Sequence, residues 1–381
     1  MSRSLASRSG SWETRLLGII AVTLVAFGII AVYGASSVVL VLGDDPASSH
    51  AVGQLQGAFI GVIALLVATR VDYHIWRDQA WPILGMVVLL LLILNLPFAG
   101  FMTTDQRTGA IRWIDLGIIS FQPSELAKFA VIVWTAMLAA KKGDTVRDFK
   151  KGLLPFVAVV GATALLILLE PDLSTACLVL LLAGVVLFTA GARIGHFMLV
   201  GLISLPFLGG SMVKASYQLH RLKSFLGAVP EQADLSHWQI DQSLIGFGAG
   251  GLFGVGFGHG LQKLGYLPLA YSDFIFSAIG EEWGFVGVTA IVLVYGVFLV
   301  LGFRIARTAP DRFGMLLATG LTALIGVTAL THMAVTLSLV PTTGLPLPFI
   351  SHGRSNLVMS LFATGVLINI GNSRFSAKGR R

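Results

Sequence analysis

Asp273, Glu281 and Glu282 stand in the stretch "YSDFIFSAIGEEWG", which from Phe274 onward reads as an apolar helix reaching about Ile305. Carboxylates in such a helix are costly unless they are paired or functional. On helical geometry Glu281 falls roughly 12 Å deeper than Asp273 and about 80° round the axis, with Glu282 nearly opposite Asp273. They cannot form the close carboxylate pair, about 5 Å apart, of retaining sugar chemistry. Asp273 keeps two readings: a residue at a helix start favoured by the dipole, or a single general base. Glu281 and Glu282 read as buried polar contacts between helices.

Other charged residues fall inside or beside apolar stretches. Glu125 and Lys128, in "FQPSELAKFA", are three apart and so share one helix face. Pro123 and Ser124 suit that helix's first turn. The pair either neutralises itself so as to tolerate burial or marks a functional path. Glu170 and Asp172 flank Pro171 in "EPDLSTA". Asp172 reads as a helix cap, the alternative being an acidic cluster at a cavity mouth. Arg354 stands at the start of the last apolar stretch. It either snorkels to lipid headgroups or holds phosphate oxygens bidentately.

Some chemistries are excluded. "GFGAGG" at 246–251 matches G-x-G-x-x-G in letters only, because no strand precedes it and no βαβ unit fits here. Its glycines read as tight turns and close packing. Cys177 is the only cysteine and lies in an apolar stretch, so neither a disulfide nor a thiolate metal site is available.

The elements that must position these residues are membrane spans. Of 381 residues, 55% are hydrophobic and only 12% charged, against about 25% charged in a soluble protein. Ten stretches approach the ~20 apolar residues a crossing needs. They lie near 16–40, 53–70, 79–99, 121–140, 153–169, 173–191, 194–213, 274–305, 312–338 and 351–371. The expectation is an all-α polytopic membrane protein of ten transmembrane helices. The first stretch is too long for a cleaved signal and reads as a span. A large extracytoplasmic loop, 214–272, separates helices 7 and 8, and reads as two short amphipathic helices around a glycine-rich segment. Flanking the single membrane domain, 16–372, are tails at 1–15 and 373–381.

The net charge of +7 is topology rather than a nucleic-acid patch. Eighteen of the 26 Lys and Arg fall in loops on the side of the N-terminus, seven on the other, and Lys128 within a span. By the positive-inside rule both termini are cytoplasmic.

Five ordered motifs together resemble the SEDS family, represented by RodA and FtsW. They are "WIDLGIISFQPSELAKF" (113–129), "EPDLSTA" (170–176), "RLKSFL" (221–226), the long string from Trp238 to Gly284, and "PTTGLPLPFISHG" (341–353). The resemblance implies a peptidoglycan glycosyltransferase of the bacterial plasma membrane, polymerising lipid II at the outer face. Its implied partner is a class B penicillin-binding protein supplying the transpeptidase. It implies that Asp273 occupies an essential aspartate position, that Glu125 and Lys128 lie in the central cavity, and that Arg221 matches a loop arginine. The reaction implied is an inverting displacement of undecaprenyl pyrophosphate, for which one base suffices. Lys128, Arg221, Lys263 and Arg354 are candidate cations for the leaving pyrophosphate. A divalent cation, Mg2+ or Mn2+, is compatible with one or two carboxylates plus substrate phosphates.

The chain departs from the family pattern at His332, where Asn is usual, at "SHGRSN" (351–356) in place of SYGGSS, and at Glu170, where Gln is common. "IGEE" leans to the FtsW branch. Two other function classes use the same residues differently. A lipid-linked precursor flippase would take Glu125 and Lys128 as a mid-membrane path, and a non-catalytic scaffold would need no outer-surface base.

Overall fold

In hydrocarbon a chain must satisfy its backbone polar groups internally, and helices do this within one segment. The computed structural model accordingly shows a helix in each of the ten apolar stretches. It describes residues 12–42, 46, 48–96, 112–115, 120–214, 216–226 and 235–378. In chain order the helices are α1 (Trp12–Leu42), α2 (Ser49–Arg70), α3 (His74–Asp78), α4 (Ala80–Leu94), α5 (Pro123–Lys142), α6 (Leu154–Leu169) and α7 (Leu173–Thr189). There follow α8 (Ile194–Lys214), α9 (Ser216–Phe225), α10 (Leu235–Gly250), α11 (Ile275–Arg307), α12 (Arg312–Thr336) and α13 (Arg354–Lys378). Seven segments are long and apolar enough to cross a membrane alone, those built on α1, α2, α5, α6, α11, α12 and α13. Apolar helices at 80–94, 173–189 and 194–207 are shorter. The chain is a multi-pass membrane protein.

α5 and α12 form the centre. In their apolar windows 78% and 83% of residues are buried, against 33% in α1 and 28% in α11, which face outward. α12 contacts α5, α7, α11 and α13, and α13 packs most extensively along α2. The described residues ahead of α5 contain a small antiparallel pairing. Strand β1 (Ile114–Asp115) pairs with β2 (Ser120–Phe121), Ile114 opposite Phe121. Residues 97–111 lie outside the described residues.

The segment 214–272 departs from expectation in two ways. Its helices, α9 and α10, both precede most of the glycine-rich stretch instead of flanking it, and "GFGAG" forms the end of α10. Two glycines let the end of α10 approach α11 closely: a Cβ on Gly250 would run into the Gly280 carbonyl. The stretch beyond Gly250 then meets a break in α11 that apolar periodicity did not reveal. At Gly284 the backbone is at φ 64°, ψ −165°, a conformation essentially confined to glycine. The hydrogen bonds lost at the break are replaced across the gap. Val255 and Gly256 N–H donate to the Glu281 and Glu282 carbonyls, while Phe285 and Val286 N–H donate to those of Gly251 and Leu252. Irregular backbone at membrane depth persists only where protein satisfies it in this way.

Glu281 and Glu282 fasten the same segment. Glu281 accepts from the Leu261 N–H at 2.8 Å and from the Gln262 N–H at 3.2 Å. Lys263 Nζ donates to Glu282 Oε1 at 2.9 Å, both side chains being buried. The two carboxylates therefore tie loop to helix.

Candidate functional site

One end of the bundle carries a cavity of about 740 Å³. Its walls come from Arg112 and Trp113 ahead of β1, the start of α5, the α6–α7 turn, α9, the residues before α11, and the 340–346 loop. Asp273, Arg221, Glu125, Asp172 and Arg112 all line it, with an apolar wall of Leu178, Leu181, Val327 and Leu330.

Asp273 is set by a tight turn. Leu269 adopts φ +59°, a left-handed conformation costing a β-carbon residue about 1–2 kcal/mol. Its carbonyl thereby accepts the N–H groups of Ser272 and Asp273, both at 3.0 Å. Helix α11 begins at Ile275 with Phe274 in the N-cap position, so Asp273 lies two residues before its first turn. Its carboxylate faces the cavity beside Gly344.

Glu125 and Lys128 form the pair their spacing foretold. Proline at the first position starts α5, as its fixed φ and missing N–H allow. Lys128 Nζ donates to Glu125 Oε1 at 2.7 Å, and Asn356 Nδ2 donates to Oε2 at 3.2 Å. Glu125 lines the cavity. Lys128, 1% exposed, stands behind it and off the wall. Its ammonium meets the carboxylate that faces the cavity, the arrangement of a lysine that orients Glu125.

Helix α9 bridges two rims. Gln218 Nε2 donates to the Pro171 carbonyl at 2.8 Å, and one turn on Arg221 Nη1 donates to the Thr342 carbonyl at 3.1 Å. Burial lowers the Arg221 pKa, an effect the nearby Asp273 charge opposes. Arg112 also clasps the α6–α7 turn, donating to the Glu170 and Pro171 carbonyls at 2.9 and 2.5 Å. Asp172 caps α7 as expected, accepting from the Thr175 N–H at 3.0 Å, while also lining the cavity. The Glu170 carboxyl is buried without a hydrogen-bond partner among the described residues. Burial, then the Asp172 charge, pushes its pKa up to about 8, against a smaller opposing effect of Arg112.

Two expected cations lie elsewhere. Lys263 is committed to Glu282 and is absent from the wall, because the loop bearing it folds down against α11. Arg354 lines a separate cavity with His50 and His352. Its stem packs against Gly57 of α2 and its guanidinium donates to Ser120 Oγ at 3.0 Å, while Asn356, two residues on, reaches Glu125. His332 Nδ1 shares a hydrogen bond of 2.8 Å with the Leu345 carbonyl, tying α12 to the 340–346 loop. Arg112, Gln218 and Asn356 were not singled out from sequence as site residues. Each reaches the site through a contact between distant segments, and only the charge of Arg112 in its loop offered a signal.

The family model of the FtsW/RodA/SpoVE cell cycle proteins matches residues 14–375. The chain belongs to this family. It is 40% identical over 355 residues to a probable peptidoglycan glycosyltransferase FtsW of Trichlorobacter lovleyi, covering 93% of this chain and 92% of that one. It is also 40% identical to stage V sporulation protein E of Bacillus subtilis, over 95% of this chain and 97% of that one. Among solved structures it resembles a chain of a peptidoglycan synthase complex that coordinates polymerization and crosslinking, with a TM-score of 0.76 at 26% identity. That match covers 96% of this chain and 98% of the other. Thermus thermophilus RodA matches with the same coverages, a TM-score of 0.70 and 26% identity.

In this FtsW/RodA/SpoVE-family protein the cavity combines three chemistries. Asp273 offers a proton acceptor, Arg221 and Arg112 supply positive charge, and the apolar wall suits a hydrocarbon chain. No group of three or more His, Cys, Asp or Glu side chains among the described residues could hold a metal ion by itself.

Proposed function

We propose that the protein is a peptidoglycan glycosyltransferase that polymerises lipid II at the outer face of the bacterial plasma membrane. The observation that carries this reading is the convergence of Asp273, Arg221 and Glu125 on one cavity with an apolar wall. The acceptor's GlcNAc 4-hydroxyl attacks the anomeric carbon of the donor's MurNAc as its proton passes to Asp273, and undecaprenyl pyrophosphate leaves. A single displacement inverts the α-linked donor to a β product. Arg221 and Arg112 carry the pyrophosphate's charge, and Glu125, held by Lys128 and Asn356, fixes the acceptor. A general base contributes roughly 10²–10⁴-fold, and orientation and charge stabilisation supply the rest. A divalent cation, Mg2+ or Mn2+, would bind through Asp273 or Asp172 plus the phosphates of the substrate, the mode magnesium favours.

The three shorter apolar helices complete ten crossings in this reading, and the basic loops place both termini in the cytoplasm. Glu125 lies in the first turn of α5, at the Asp273 end of the bundle. That position supports a surface reaction over a flippase path, which needs polar groups at mid-membrane. The nearest class of partner is a class B penicillin-binding protein, supported by the likeness to a chain of a peptidoglycan synthase complex. Identities of 40% to FtsW and SpoVE proteins, against 26% to Thermus RodA, support the FtsW side of the family.

The test is polymerisation of purified lipid II by the purified protein, alone and with its transpeptidase partner. Asp273→Asn should lower the rate at least about 100-fold while the protein inserts and melts normally. A variant retaining more than about a tenth of the rate would show that Asp273 is not the base.

A further inference from the structure

A cavity of about 310 Å³ lies between α6, α7 and α8. Its lining reaches from Phe149, just before α6, to Leu168 near the far end of that helix, a run of roughly 28 Å. Leu187 of α7 and Phe197 and Phe207 of α8 contribute to the other walls. Ser204 is the one polar side chain among the lining residues, and its Oγ donates to the Val200 carbonyl of its own helix at 2.8 Å. The cavity therefore offers hydrocarbon contacts only. Its space is real at the backbone: a Cβ on the lining residue Gly161 would meet nothing within 4 Å.

Phe149 and Phe197 mark the end of the cavity away from Asp273, on the side where α5 finishes at Lys142. Two loops meet there, 143–153 and 190–193. The Phe149 and His196 rings stand edge to face with centroids 5.4 Å apart, and Arg147 Nε lies 3.8 Å from where a Cβ on Gly191 would be. Arg312 Nη2 fixes the second loop from α12, donating to the Ala190 carbonyl at 3.0 Å. The loops expose Arg147, Lys150, Lys151 and Arg193 beside two carboxylates, Asp144 and Asp148. Asp148 serves its own loop, accepting from the Lys151 N–H at 2.9 Å. The undescribed residues that adjoin this end in sequence, 1–11 and 379–381, contain no Asp or Glu. An excess of Lys and Arg is the ordinary mark of one membrane side. It does not account for an open apolar cavity reaching up to the same loops.

We propose that this cavity and its basic rim form one site for an anionic glycerophospholipid. An acyl chain lies between α6, α7 and α8, and the phosphate binds at Lys150 and Arg193. Arginine meets phosphate oxygens bidentately, and lysine adds a compact charge. Basic residues at a membrane surface favour anionic over zwitterionic headgroups, each adding to the attraction. The chain fills the gap between α6 and α8, and α8 is followed by α9, the helix that carries Arg221. The site lies at the other end of the bundle from Asp273 and does not rest on the reaction proposed there.

The experiment melts the purified full chain in detergent with two soluble probes of equal chain length, dioctanoyl phosphatidylglycerol and dioctanoyl phosphatidylcholine. The anionic probe should raise Tm by roughly 3 °C or more at saturation, and the zwitterionic one should need at least about tenfold more lipid for half its effect. Lys150→Gln/Arg193→Gln should raise the half-effect concentration of the anionic probe at least about tenfold and leave the other unchanged. Arg70→Gln, an exposed charge away from the two loops, should respond as wild type. Gly161→Leu should fill the cavity and abolish the response to both probes. Gly184→Leu, also in the lining, serves if that variant fails to fold. Asp273→Asn should respond as wild type, so failure here is separate from failure of the glycosyltransferase reading. Equal potency of the two probes would overturn the proposal. So would an equal loss in Arg70→Gln and the double variant, or a response that survives in the folded cavity variants.

Discussion

Single residues in this protein act through the partners they keep. Lys128 is nearly inaccessible, and its ammonium is matched by Glu125. Removing one member of a buried pair costs about 3–5 kcal/mol, whereas removing both charges can be close to neutral. Lys128→Met should therefore lower Tm markedly, and Glu125→Gln/Lys128→Met should recover most of that loss. Lipid II polymerisation should stay low in the double variant if Glu125 fixes the acceptor. Activity returning along with stability would make the pair purely structural. Glu170 offers a pH test. Its pKa rises from an ordinary 4.5 to about 8 on folding, so the folded state holds the proton more tightly. Its contribution is fully present below about pH 4.5 and is lost as pH rises through 8, at up to 1.36 kcal/mol per unit. Glu170→Gln should flatten the fall in Tm between pH 5.5 and 8.5, with the largest stabilisation at the alkaline end. Parallel melting curves for variant and wild type would refute the protonated state. Glutamine presents the same neutral shape as a protonated glutamate.

At the scale of elements, the break in α11 positions both the glycine-rich segment and the glutamates that hold it. The Gly284 conformation excludes a side chain, and a Cβ there would also collide with the Leu252 and Gly254 backbone. Gly284→Ala should lose at least about 1–3 kcal/mol from backbone strain alone, seen as a lower Tm and less folded protein. Gly296→Ala is the control. It sits in the same helix with open space around its Cα, and should be neutral or stabilising by up to about 1 kcal/mol. Equal behaviour of the two variants would mean that α11 runs through without a break. The tie between His332 and Leu345 works on a neighbouring element.

For the whole molecule the decisive property is orientation. Ser48 and Asp144 lie at opposite ends of the bundle, both exposed. In a Cys177→Ser background, Ser48→Cys should react with an impermeant thiol reagent on intact cells. Asp144→Cys should react only after permeabilisation. Gly143, its neighbour, is unsuitable for the probe because its φ is +58°. Reversed labelling would put the Asp273 cavity in the cytoplasm and remove the argument for lipid II as substrate.

The sequence alone determined what is local or periodic. Ten apolar stretches are helices, Glu125 and Lys128 meet because three residues make nearly one turn, and Asp172 caps the helix that follows it. Motif order was enough to reach the family, since the matching strings span most of the chain. The sequence could not decide which charges share a cavity. Lys263 and Arg221 lie in the same long segment, yet one is bound to Glu282 and the other reaches the Thr342 carbonyl. Arg354 and Asn356 are two residues apart at the start of one helix, yet the first lines one cavity and the second holds Glu125, which lines the other. The break at Gly284 was equally hidden, because hydrophobic periodicity records which side chains face lipid and not where a hydrogen-bond ladder is interrupted. That interruption is tolerable only because residues 251–256, some thirty positions earlier, return to satisfy it. Contacts between segments far apart in the chain are fixed by packing, and packing exists only once the bundle has formed.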